Sequence, residues 1–192
     1  MKRAGVLVAV GCRSILGIDD PITSDAGSGS PTIDAGNACL AQASYAPAFS
    51  AQTQAAQSHS SGTEVVWEGA LDATTYVELI LLQGAMDFPT AIGPVTGLDV
   101  GAPANTQTRT CDACVFVLAG VGSDGVEKQD YLAISGRLNL TQVTASQITG
   151  SFENLIVTPV SIDGNDVSTR VHPECVTTIP SASFSAAITV MP

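Results

Sequence analysis

Four cysteines and two histidines carry most of the chemistry open to the body of this chain: Cys39, Cys111, Cys114 and Cys175, with His59 and His172. Cys111-Asp112-Ala113-Cys114 has a CxxC spacing, and His172-x2-Cys175 repeats it further on. Zinc is one use for the set, since Cys111, Cys114, His172 and Cys175 supply four ligands of the right kind and leave Cys39 over. Thiol redox catalysis is a second. It places CxxC at a helix N-terminus, which lowers a thiol pKa. Here the β-formers Val115-Phe116-Val117-Leu118 follow the pair, and Asp112 opposes thiolate formation. The third use is two disulfides, favoured if the chain is exported, with three connectivities open. Residues three apart in a strand point to opposite faces. The expectation is therefore that Cys111 and Cys114 reach different partners, at least one of them bonding Cys175. A local Cys111–Cys114 bond ranks second and needs a tight turn before Val115.

No nucleophile–base pair stands out beside the cysteines. His59 falls in the polar stretch Ser58-His59-Ser60-Ser61-Gly62, which reads as a solvated loop. His172 precedes Pro173, and a residue before proline is biased to extended backbone. No GxSxG elbow is present. Asp163-Gly164-Asn165-Asp166 shares a little with a calcium loop but lacks the spaced oxygens and final Glu, so a turn between strands is expected. Glycan stacking would fall to Trp67, Tyr76 and Tyr131, and 5% aromatic content is thin for that role. The reading assigns no catalytic residue and no cofactor.

Composition narrows the class. The chain has 192 residues, 18 acidic against 7 basic, a net charge of -11 and 45% hydrophobic residues. Charged residues make up only 13%, which excludes a chain kept disordered by charge. Four basic residues beyond position 13 exclude the clustered Lys/Arg that nucleic-acid phosphates demand. No apolar run approaches the roughly 18 residues of a membrane-spanning helix.

The first residues read as an address. In MKRAGVLVAVGC, Lys2 and Arg3 are a positive start, Ala4 to Val10 a short apolar core and Gly11 a small residue at a cut site. Cys12 directly after that cut is the expected lipidation site, with residues 1–11 as the signal. A plain secretory signal and a buried strand over Gly5 to Val10 are the other readings. Gly17 to Ala38 is dense in Gly, Ser, Asp and Pro and cannot bury enough apolar surface to offset its ordering entropy. As a flexible coil it spans about 25 Å, enough to hold a body off a membrane.

Strand patterns fill the rest, residues 39–192. Val65, Trp67 and Leu71 share a parity, and Tyr76 to Leu82 is continuously apolar, with Asp72 to Thr75 as the hairpin turn between them. Val115 to Val121 reads as a central strand, closed by the turn Gly122-Ser123-Asp124-Gly125. Leu132, Ile134, Gly136, Leu138 and Leu140 keep one parity. Ile148, Gly150 and Phe152 do the same before Leu155 and Val157 switch, as a bulge at Glu153-Asn154 requires. Ala182 to Val190 alternates to the end. Ala41 to Gln57 alone has helix-like composition, and Asp87 to Ala104 reads as loop with one short strand. About seven strands predict an all-β body, an antiparallel β-sandwich or open barrel. Trp67, Leu79, Leu81, Val117, Leu138, Leu140, Phe152 and Phe184 are its expected core.

The order of these pieces resembles a known family. Cys12-x-x-Ile15-Leu16-Gly17-Ile18-Asp19-Asp20-Pro21 leads into a Ser/Asp/Gly tether. Thr110-Cys111-x-x-Cys114-Val115, Tyr131-x-Ala133-x-Ser135-Gly136-x-Leu138-x-Leu140 and Ile148-Thr149-Gly150-Ser151-Phe152 follow, and Cys175 precedes Ser181-x-Ser183-Phe184. The set is similar to uncharacterised exported lipoproteins that recur in myxobacteria and related bacteria. The resemblance implies an envelope location and an all-β body, and it carries over no catalytic residue. The expected role is a non-enzymatic module anchored in the outer membrane by its lipid, contacting an envelope protein or glycan. A binder of small ligands, glycans or calcium is the alternative, and a hydrolase a more distant one.

Overall fold

The computed structural model describes residues 39–59, 64–82, 94–103, 105–108 and 111–191. The signal stretch, Cys12 and the tether, residues 1–38, lie outside the described residues. Among the described residues nine strands form one sheet: β1 (Gln54–His59), β2 (Glu64–Ala70), β3 (Thr75–Leu82), β4 (Val95–Asp99), β5 (Ala113–Ala119), β6 (Gln129–Val143), β7 (Gln147–Ile162), β8 (Ser168–Arg170) and β9 (Thr177–Met191). The order is β4-β6-β5-β3-β2-β1-β9-β7-β8, and β6 also pairs with β7. That extra pairing closes seven strands into a ring, β6-β5-β3-β2-β1-β9-β7. β4 and β8 ride on its long strands. All pairs are antiparallel except β1 with β9.

The expected alternation decides which side chains turn inward. Trp67, Leu79, Val115, Phe152, Phe184 and Ala56 belong to one apolar cluster fed by every strand of the ring, so that cluster is the interior. All eight expected core residues are buried. Trp67 sits at the centre, with ring centroids 4.4 Å from Phe184, 5.1 Å from Phe49 and 5.8 Å from Phe152. The opposite parity gives a smaller outer cluster of Val66, Ile80, Cys114, Phe116, Leu132 and Val160, which Cys111 joins from ahead of β5. Gln54 ties three strands together, its Oε1 accepting the Trp67 indole N–H at 3.2 Å and the Ser185 backbone N–H at 3.0 Å.

Both expected turns are present. Asp72 Oδ1 accepts the Thr74 N–H at 2.8 Å in the β2–β3 hairpin. Gly125 donates to the Gly122 carbonyl at 3.0 Å between β5 and β6. The bulge expected at Glu153-Asn154 is also there: the β6–β7 register steps from Arg137↔Glu153 to Ser135↔Ile156, and Asn154 has φ 50°.

Two expectations are corrected. Leu132 to Leu140 do not keep one parity. Tyr131 and Ala133 face the interior with Leu138 and Leu140, while Leu132 faces the outer cluster. The switch lies at Gly136, whose φ of 135° faces the bulge across the ladder. An added Cβ there would stand 2.8 Å from the Leu155 Cα. Nor is Ala41 to Gln57 a helix. Its first half is an extended strap, and its end is β1. Pro47 interrupts any helix, and β9 offers the strap backbone partners instead: Tyr45 N–H donates to Thr178 O at 2.9 Å and Thr178 N–H to Ala43 O at 3.0 Å.

Candidate functional site

The strap, Cys39 to Ser50, crosses one mouth of the ring where the β2–β3 turn, the end of β5 and the starts of β6 and β9 come together. Its apolar side chains enter the interior: Ala41 and Tyr45 are buried, and Leu40 and Phe49 pack against the core. Gly69 makes room for Phe49, since a Cβ there would lie 2.6 Å from its ring. The Tyr131 hydroxyl, on a side chain with 0% exposure, accepts the N–H groups of Leu40 at 2.9 Å and Ala41 at 3.1 Å. Thr177 Oγ1 donates to the Gln42 carbonyl at 2.8 Å.

A polar cluster fastens the strap to the hairpin. Tyr45 accepts the Gln42 N–H at 3.0 Å and donates to Asp72 Oδ2 at 3.2 Å. Gln42 Nε2 donates to the same oxygen at 3.3 Å. Burial pushes the Tyr45 pKa up. Burial also opposes ionisation of Asp72, but hydrogen bonds from the Thr74 backbone, Thr75, Tyr45 and Gln42 outweigh it and hold the carboxyl below its ordinary range.

The cysteines fall into two pairs, and the pairing differs from the one expected. Cys39 meets Cys175 with Cα atoms 5.3 Å apart, and Cys111 meets Cys114 at 5.5 Å, both within the span of a disulfide. Neither Cys111 nor Cys114 reaches Cys175. Strand alternation does not separate the two, because only Cys114 lies on a strand, opposite Ile80. Cys111 precedes β5, its N–H donating to Gln107 O at 3.0 Å, and the strand's alternation does not govern it. The local Cys111–Cys114 bond, the second expectation, is therefore the one present. Cys175 is delivered to Cys39 by a turn in which its N–H donates to His172 O at 2.9 Å. That turn puts His172 at φ 48°, not extended as expected before a proline.

The zinc set is not assembled, because Cys175 sits with Cys39, and His172 Nδ1 lies 3.5 Å from Glu174. Among the described residues no group of three or more His, Cys, Asp and Glu is placed to hold a metal. His59 ends β1 rather than lying in a loop. Asp163 to Asp166 is a turn, with Asp163 Oδ1 accepting from Asn165 at 2.8 Å and Val167 at 3.0 Å. Of the three aromatics considered for glycan stacking, Trp67 and Tyr131 lie in the interior with no exposure.

Sequence reasoning missed the acids of the outer face. Glu68 and Glu78 are both buried and stand directly opposite each other on β2 and β3. Asp130 lies between Leu118 and Val160 on neighbouring strands, and burial, with the nearby Glu127 charge, raises its pKa to about 6. The available signal was an acid inside an apolar run, as in Val65-Val66-Trp67-Glu68 and Tyr76-Val77-Glu78-Leu79. No family model, curated protein or solved structure matches the chain.

Proposed function

We propose that this chain is a non-enzymatic lipoprotein module of the cell envelope. In this reading Cys12 carries the lipid, residues up to 38 are the tether, and the ring is the body presented to an envelope protein or glycan. Both cysteine pairs are oxidised, as export to a non-reducing compartment allows. The observation that carries the reading is the placement of Cys39, the first residue after the tether, against Cys175. A disulfide there joins the tether covalently to the far end of the sequence, so a pull on the anchor reaches the ring without peeling the strap.

The test is fractionation of cells making the full chain. The wild-type protein should travel with membranes and carry an acyl mass on its first residue, Cys12. Cys12→Ser should leave the protein unacylated and released from, or misprocessed at, the membrane. A soluble cytoplasmic protein that keeps Met1 would sink the reading.

A further inference from the structure

We propose that the Cys39–Cys175 disulfide is a latch that an external dithiol opens, freeing the strap while Cys111–Cys114 stays closed. The two pairs differ in access. Cys39 is exposed, and its partner Cys175 is 2% exposed. Cys111 and Cys114 are 2% and 1% exposed, within the outer apolar cluster. Thiol–disulfide exchange needs a thiolate to approach one sulfur in line with the bond. Of these four cysteines Cys39 alone is exposed as a residue, so the approach is to its side of the bond.

One thiolate of a dithiol attacks Cys39 Sγ, forming a mixed disulfide and expelling the Cys175 thiolate, which takes a proton. The second thiol of the reagent then attacks the mixed disulfide and releases Cys39 as a thiol. The reagent leaves as its cyclic or intramolecular disulfide, two electrons having passed to the cysteines.

With the latch open, the strap keeps only non-covalent holds. These include the two amides on the Tyr131 hydroxyl, the Thr177–Gln42 bond, the bonds of Ala43 and Tyr45 with Thr178, the contacts of Gln42 and Tyr45 with Asp72, and the packing of four apolar side chains. Its release withdraws Leu40, Ala41, Tyr45 and Phe49 from the interior and opens that mouth of the ring. The seven strands of the ring keep their own ladders. The device thus couples the thiol state of the surroundings to exposure of an apolar mouth at the tethered end.

This inference rests on the proposed oxidised, exported state. The experiment takes the full chain from its own envelope fraction. Intact mass after alkylation, before any reductant, should show two disulfides. Graded dithiothreitol without denaturant should then make Cys39 and Cys175 alkylate at least about tenfold faster than Cys111 and Cys114. Amide exchange at Leu40 and Ala41 should rise about tenfold or more in the same samples, with β3 and β5 amides unchanged. Cys175→Ser should reproduce that exchange without reductant; if this variant does not fold, graded reduction of the wild-type chain decides alone. Equal alkylation of the two pairs, or a reduced Cys39 with strap amides still protected, overturns the latch and leaves the export reading standing. Four free thiols before reduction overturn both.

Discussion

Asp130 shows how one side chain sets a pH dependence. Its neighbours Leu118 and Val160 are apolar, and the pKa rises to about 6 through burial, with Glu127 adding like charge. The folded state therefore holds the Asp130 proton more tightly than the unfolded chain, whose value is near 3.8. The stability this contributes is fully present below about pH 3.8 and is lost as pH rises through about 6. At pH 7 the half-buried carboxylate is a net cost. Asp130→Asn should stabilise the protein at pH 7 by roughly 1–3 kcal/mol and have little effect at pH 3.5, read by urea unfolding at both. A loss of stability at pH 7 would show that the carboxylate is not opposed by its surroundings. Tyr131 works the other way, because its hydroxyl is the acceptor for two strap amides. Tyr131→Phe should cost about 1–3 kcal/mol, and exchange at Leu40 and Ala41 should quicken. Unchanged exchange at both amides would mean the strap does not depend on that hydroxyl.

At the scale of elements, Gly136 and Asn154 set the shape of β6 and β7. The backbone at Gly136 has φ 135°, and a Cβ would meet Leu155 Cα at 2.8 Å and Asn154 O at 3.2 Å. Gly136→Ala should destabilise by roughly 2–4 kcal/mol, through strain and the close approach together. A shift under about 0.5 kcal/mol in urea unfolding would show the two strands slide freely past this point. The bulge on β7 was legible because Phe152 and Leu155 break the period of two. The switch on β6 was not, because Leu132 and Leu138 are both apolar and both buried, one outside and one inside. Strand β1 was hidden for a related reason. Gln54-Ala55-Ala56-Gln57 has helix-forming residues, and only pairing with β2 and β9 makes it a strand. The cysteine pairs were legible as a set and not as bonds, since connectivity depends on Cys111 lying ahead of β5 and on the turn at His172, neither of which alternation describes. The strap was invisible for want of any period at all.

For the whole molecule, closure is the event that everything else depends on. The two cysteine pairs differ in what they restrict: 136 residues separate Cys39 from Cys175 and 3 separate Cys111 from Cys114. In chain-entropy terms those loops are worth about 5 and about 2 kcal/mol, so losing the first should lower the urea midpoint more than losing the second. A larger loss from Cys111→Ser with Cys114→Ser would reverse that order. The interior makes the same point kinetically. Trp67 on β2 is enclosed by Phe49 of the strap, Phe152 of β7 and Phe184 of β9. No local hairpin brings these rings together; they meet only when β9 has docked between β1 and β7. A fold dominated by such distant pairings forms on the order of milliseconds to seconds. With both disulfides intact, stopped-flow refolding should return Trp67 fluorescence and the far-ultraviolet sheet signal together in the main phase. If native Trp67 emission returned well before the sheet signal, the tryptophan would be buried by local collapse, and closure of the ring would not be the step that builds its core.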